Sequence, residues 1–126
     1  MSNLYGFKYS VSLSEDNYLS YIILSVNNRK SCIEKYQFGI KYHYDISDKI
    51  DDFCNEISGL GIEKWNMKDY HSSFYEFPHP HNWSFQISTD SLSVSCSGQE
   101  GVYPPKWQEF WKAFNRMCNG SNNSKS

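Results

Sequence analysis

The chain has 126 residues, a formal net charge of −2 and an isoelectric point near 6.0. It has no stripe of basic residues that could displace counterions from phosphates, so direct nucleic-acid binding is not expected. A chain of this length is expected to form one domain. Aromatic residues, at 17% of the chain, can supply its core.

The first third of the chain predicts three antiparallel strands. Residues 4–13 alternate, with one apolar face made of Tyr5, Phe7, Tyr9, Val11 and Leu13. A nearly continuous apolar strand follows over residues 18–26, after a polar turn. Residues 35–44 alternate again and predict a third strand, whose shared face is Tyr36, Phe38, Ile40, Tyr42 and Tyr44. Short polar turns between such strands predict a meander.

A helix is predicted next, with Ser47 as its N-cap and Gly59 at its end. Its buried stripe has helical spacing and consists of Ile50, Phe53, Cys54 and Ile57. Acidic residues gather in its first turn, where the helix dipole favours negative charge. They lack the spacing of a calcium-binding loop, so we interpret them as helix-start residues.

The last third predicts a hairpin followed by a helix. Apolar residues alternate with polar ones, mostly serines, in two runs joined by a short polar connection. The first run contains Trp83, Phe85 and Ile87, and the second contains Leu92, Val94 and Cys96. Pro104 and Pro105 suit the start of a helix. One face of that helix carries four aromatic residues at helical spacing, Trp107, Phe110, Trp111 and Phe114.

Together these elements predict an α+β fold. It would have an antiparallel sheet of about five strands, in the order β-β-β-α-β-β-α, with two helices packed on one face. The domain is expected to span residues 1–118, with residues 119–126 as a flexible polar tail.

The four cysteines, at positions 32, 54, 96 and 118, have no close spacing of the kind that metal or redox motifs use. Three of them fall on predicted apolar faces, which favours buried free thiols in a reducing compartment. The first residues lack a basic leader, and no apolar run approaches membrane-spanning length. We therefore expect a cytoplasmic protein with no membrane contact.

One segment offers metal-ligand chemistry. His79-Pro80-His81, with His71 nearby, places imidazoles on an extended loop, and imidazole suits zinc, copper or nickel. No cysteine or carboxylate stands at diagnostic spacing, so neither a metal nor a cofactor is predicted. A metal- or ligand-binding enzyme using the 71–81 loop stays as an alternative. Neither a serine-hydrolase elbow nor a Walker motif is present, so no catalytic residue and no enzymatic activity are predicted.

Residues 61–114 carry a further pattern. It consists of Gly61, Ile62, Trp65, Tyr70, Trp83, Phe85, Ile87, Ser97, Gly98, Tyr103, Pro104 and Phe110. This pattern, about half the chain, resembles a family of small bacterial α+β proteins with no assigned reaction. In that family one strand begins with a tryptophan, and the next strand ends in the sequence Ser-Gly-Ser-Asn-Ala-Tyr-Pro. This chain departs from it with His81-Asn82 before the strand tryptophan and Gln99-Glu100-Gly101-Val102 before the tyrosine.

The resemblance implies an α+β fold and, by association, an immunity protein or a phage-borne inhibitor of bacterial defence. The predicted function is therefore a non-catalytic module that binds and neutralises a protein target such as a toxin or a defence nuclease. The predicted partner-binding residues lie in two irregular loops and are His79, His81, Gln99, Glu100 and Tyr103. A homo-oligomeric structural protein, for instance a homodimer formed through strand edges, is a further alternative.

Overall fold

The computed structural model describes residues 3–14, 17–27, 30–70, 81–119 and 122–125. Helix α1 spans Ile50–Ser58 and helix α2 spans Trp107–Asn119, with a short 3-10 helix at Ile62–Trp65. The strands in chain order are β1 Leu4–Ser14, β2 Asn17–Asn27, β3 Lys30–Gln37, β4 Ile40–Asp45, β5 Asp69–Tyr70, β6 Asn82–Thr89, β7 Ser93–Gln99 and β8 Asn122–Lys125.

All of these strands belong to one sheet, in the order β5-β7-β6-β1-β2-β3-β4-β8. Every neighbouring pair is antiparallel except β5 and β7, which run parallel. The α+β class is confirmed. The prediction of about five strands is wrong, because seven strands precede α2 and an eighth short strand follows it.

The predicted third strand is in fact a hairpin, β3 and β4, joined by Phe38 and Gly39. Both turn residues have positive φ, 54° and 79°, as a tight two-residue hairpin turn requires. Tyr36 pairs with Lys41, so it lies on the opposite side of the sheet from Tyr42. The left-handed conformation costs a residue with a β-carbon about 1–2 kcal/mol, and Phe38 is 88% exposed.

The sheet has two unlike faces. Its helix face carries the core residues Phe7, Trp83, Phe85, Ile87, Val94 and Cys96, and α2 packs on it. The predicted aromatic stripe of α2 is confirmed at its centre, since Phe110 is fully buried. The predicted stripe of α1 is buried too, and Phe53 packs edge-on against Phe110. The opposite side, the open face, has no helix of the described residues packed on it and presents polar residues such as Lys8, Ser84, Gln86 and Ser95.

Two local expectations are corrected. The pairing of β1 with β6 shifts register between Leu4 and Gly6. Leu4 is therefore in the core, with 3% of its surface exposed, whereas Tyr5 is 63% exposed. Contrary to the prediction, Tyr5 thus does not belong to the apolar face of its strand. Ser47 does not cap α1, whose N-cap is Lys49 without a side-chain hydrogen bond. The Ser47 hydroxyl instead donates to Asp45 at 2.8 Å and accepts from the backbone N–H of Ser31.

The outer sides of β7 and β4 are both paired. The backbone N–H of Met67 donates to the carbonyl of Ser95 at 2.8 Å, and the side chain of Asn66 accepts from the N–H of Ser95. Together with β5, these bonds occupy the outer edge of β7. At the other edge β8 pairs with β4, where the sequence predicted a flexible tail. Such pairing occupies backbone groups of β7 and β4 through which strands of two molecules could otherwise associate.

Candidate functional site

The structure brings four of the five predicted partner-binding residues together at one end of the sheet. His81 directly precedes β6, Gln99 ends β7, and Glu100 and Tyr103 follow in the loop that leads to α2. We call residues 99–103 the 99–103 loop. His79 lies outside the described residues. Strands β6 and β7 pair from Asn82 and Gln99 onward, which places His81 beside this loop.

A buried tryptophan holds the loop in place. The indole N–H of Trp83 donates to the carbonyl oxygens of Gln99 and Val102, both at 3.1 Å. The N–H of Val102 also donates to the carbonyl of Gln99 at 3.0 Å, which closes a tight turn. Gly101 has φ of 94°, a conformation that glycine adopts without strain. Because Trp83 is itself 2% exposed, the loop is tied to the core.

The loop and the start of β6 are also joined by two contacts between Glu100 and His81. The Glu100 backbone N–H donates to the His81 carbonyl at 2.7 Å, and the Glu100 carboxylate lies 2.6 Å from Nδ1 of His81. Both side chains are accessible, with 58% of the glutamate and 36% of the histidine exposed. The pair therefore presents a carboxylate and an imidazole to solvent in contact with each other.

Tyr103 adds an aromatic surface to the loop. Its ring stacks on Trp107 at 5.4 Å and on Trp83 at 5.9 Å, yet the residue is 41% exposed. Trp107 in turn contacts the ring of Tyr9 on β1. Burial raises the pKa of Tyr9 far above its usual range, and the nearby Tyr103 and Glu100 raise it further.

Two residues at the base of the loop act through packing. Gln99 is 3% exposed, so its side chain offers no surface to a partner. Gly98 lies under the Trp83 ring, where an added β-carbon would stand 2.6 Å from a ring carbon and 2.7 Å from the β-carbon of Tyr70. Only glycine allows this close approach of ring and backbone. The close approach of the Trp83 ring therefore explains Gly98 of the sequence pattern.

A polar network on the open face was not found from the sequence. The Tyr21 hydroxyl donates to Glu34 at 2.9 Å, and His43 contacts the other carboxylate oxygen at 3.2 Å. The hydrogen bond from Tyr21, helped by His43 and Lys41, holds the pKa of the Glu34 carboxyl below its usual range. The three side chains come from adjacent strands β2, β3 and β4, so only the pairing register could reveal them.

The histidine loop does not acquire metal-site geometry from the part of the chain that the structure describes. Over those residues no group of three His, Cys, Asp or Glu side chains could hold a metal ion. His71 and His79 lie outside them, so a metal site in the 71–81 loop stays a prediction. All four cysteines are free thiols, and Cys54, Cys96 and Cys118 are buried as predicted.

Within the described residues, neither helix is long and apolar enough to cross a membrane. The resemblance over residues 61–114 stays a prediction. Comparisons with protein-family models, with curated proteins and with solved structures found no match to this chain.

Proposed function

We propose that the protein is a non-catalytic, cytoplasmic binding module that neutralises a protein target, such as a toxin or a bacterial defence nuclease, and that it is encoded by a bacterium or a phage. The observation that supports a binding function is the 99–103 loop, which is tied to the core and still exposed. The class of target comes from the resemblance described above, by association.

A loop with this construction suits protein recognition on energetic grounds. Binding costs free energy for every loop and side chain that must be ordered at the interface, so a loop ordered beforehand loses less. Trp83 removes much of that freedom by bonding two carbonyls of the loop. Tyrosine has few rotatable bonds and a large amphipathic ring, and it is enriched among residues that dominate binding energy.

The chemistry around Tyr103 has the composition of a binding surface. The aromatic ring stands beside the exposed Glu100 carboxylate and His81 imidazole, which can form hydrogen bonds at the edge of a contact. Protein interfaces commonly combine an aromatic centre with a polar rim. Glu100 and Tyr103 therefore carry the proposed contact, and Gln99 and Trp83 support it from inside.

Co-purification tests this proposal. Tagged protein is recovered from cells of the source organism, and bound proteins are identified by mass spectrometry, for the wild type and for Tyr103→Ala. We expect one specific partner, and at least about tenfold less of it with Tyr103→Ala, since central aromatic residues dominate interfaces.

The matched control is Tyr5→Ala, which removes an exposed tyrosine from the opposite end of the sheet. It should recover the partner as the wild type does, and thermal melts should show that both variants are folded. A protein that recovers no specific partner under any condition, or that turns over a substrate, would contradict the proposal.

A further inference from the structure

The tip of the β3–β4 hairpin carries an aromatic residue that local structure does not require. Two-residue hairpin turns of this kind favour Asn-Gly, because both central residues have positive φ. Here the first position is Phe38, with φ of 54° and 88% of its surface exposed. A β-carbon built on the neighbouring Gly39 meets nothing within 4 Å, so the tip stands in open space. The phenylalanine thus combines backbone strain with exposed apolar surface.

Strand pairing places this tip at the same end of the sheet as the 99–103 loop. One row of paired residues crosses five strands, from Gly98 through Trp83, Val11 and Ser20 to Gln37. Phe38 directly follows the last member of the row, and the loop directly follows the first. With strands about 4.8 Å apart, four steps separate β7 from β3 by roughly 19 Å.

The β1–β2 hairpin projects between these two points. The β1–β2 hairpin continues past the row, where Ser12 pairs with Tyr18 and Ser14 pairs with Asn17. An interface of about 800 Å² per partner corresponds to a patch roughly 30 Å across, which includes both the loop and the hairpin tip. A partner that contacts both must therefore have a concave surface.

We propose that Phe38 is a second aromatic anchor of the surface that Tyr103 forms, and that the partner is a protein with a concave cleft whose wall contains an apolar pocket for the Phe38 ring. This inference rests on the proposed function and names the shape and chemistry of the target. Two aromatic side chains flanking a projecting hairpin fit a cleft. Burying the ring in such a pocket would gain free energy from apolar surface that the isolated protein leaves in water.

Met67 offers a matched comparison elsewhere in the molecule. It too is apolar, 87% exposed and left-handed, with φ of 61°. Its conformation has a structural reason, because its N–H bonds the carbonyl of Ser95 and covers the edge of β7. It lies at the β5 edge of the sheet and outside the proposed surface.

Site-specific photocrosslinking tests the inference. Benzoylphenylalanine is placed in the full chain at position 38, 103 or 67 in cells of the source organism, and the adducts are identified by mass. We expect the same protein to be crosslinked from positions 38 and 103 and not from position 67. A crosslink from position 103 without one from position 38 overturns the inference and leaves the proposed function standing. No crosslink from either position overturns both.

A second arm separates binding from folding. Phe38→Asn should raise the melting temperature by about 3 °C, because asparagine suits this turn, and should lower the adduct yield from position 103 at least about tenfold. Met67→Asn should leave that yield unchanged. An unchanged yield with Phe38→Asn overturns the inference. So does a lower melting temperature, because the ring would then have an intramolecular role.

Discussion

The two halves of the sheet differ in what covers their helix face. In β7, β6 and β1, residues such as Phe7, Trp83 and Phe85 are buried beneath the rings of α2 and Trp65. In β2, β3 and β4, the only buried side chain among those the structure describes is Ile33. The first three strands therefore hold most of the buried apolar side chains, and we call them, with α2, the dense half. We call β2, β3 and β4 the thin half.

The same difference determines how firmly each half holds its exposed loop or turn. The 99–103 loop belongs to the densely packed half, and a core residue, Trp83, forms its backbone hydrogen bonds. The β3–β4 turn belongs to the thin half, and it is formed by two residues with positive φ between paired strands. A loop tied to a core side chain takes on the stability of that core, whereas a bare hairpin turn can open with its strands.

The largest expected effect comes from removing the ring at the centre of the dense half. Phe110 is fully buried and contacts Phe7, Phe53 and Phe85. Phe110→Ala should lower the free energy of unfolding by about 3–5 kcal/mol, through lost burial and the cavity it leaves. The matched change in the thin half is Tyr36→Ala, which removes a ring stacked on Tyr21 and should cost about 1 kcal/mol. Urea denaturation measures both, and equal losses would show that the halves do not differ.

A smaller effect is expected from adding one methyl group beneath Trp83. Gly98→Ala places a β-carbon 2.6 Å from the indole, so the ring or the strand must move. We expect a loss of about 1–3 kcal/mol from overpacking. Gly59→Ala is the control, because nothing lies within 4 Å of an added β-carbon there and φ is −87°. In thermal melts Gly59→Ala should be neutral or stabilising by about 0.5 kcal/mol. Equal changes in the two variants would contradict the close approach of Gly98 to the Trp83 ring.

Alkaline pH should destabilise the fold through its buried thiols. Burial raises the pKa of Cys118 to about 12 and that of Cys96 to about 11, from an ordinary value near 9. The unfolded chain therefore releases these protons at lower pH than the folded chain. Stability is fully present below pH 9 and falls as pH rises toward the folded values. Urea denaturation from pH 8 to 11 should show this fall, and a shallower slope for Cys118→Ala. If Cys118→Ala leaves the dependence of stability on pH unchanged, then other groups cause the loss of stability at alkaline pH.

The smallest effect concerns the open face of the thin half. Tyr21→Phe removes the hydroxyl that donates to Glu34, so the pKa of that carboxyl should rise toward its ordinary value. In the wild type this bond stabilises the fold above the ordinary pKa of glutamate and is lost as pH falls through the lowered one. Both side chains are partly exposed, so the change in stability should be slight. NMR titration of Glu34 measures the shift, and a pKa that stays low in the variant would mean that His43 and Lys41 cause it.

Much of the dense half could be predicted from the sequence, because its signals are local. Alternation at period two identified Trp83, Phe85 and Ile87, and the aromatic spacing of α2 identified Phe110. The β3–β4 hairpin could not be recognised by the same means, since apolar alternation continues through its two-residue turn. Gly39 was the available signal, because a glycine inside a strand pattern often marks a turn or bulge.

The candidate site could be predicted in position but not in construction. Glycine, proline and the lack of periodicity indicated irregular loops around His81 and Glu100, and the structure places these two side chains in contact. The role of Trp83 depends on its indole N–H reaching two backbone carbonyls, which has no signature in the residue types of the loop. The burial of Gln99 likewise depends on how the end of β7 packs, which alternation within the strand does not reveal.

The central position of β1 has a consequence for how the chain folds. Strands β1 to β4 pair with their sequence neighbours, and β6 pairs with β7, so both units form from local contacts. Within the sheet these two units meet where β1 pairs with β6, between residues such as Ser10 and Ser84 that are 74 positions apart. Closing so long a loop before its contacts are gained slows folding. Forming the β1–β6 pairing should therefore slow folding, and Phe110 contacts Phe7 on one side of it and Phe85 on the other.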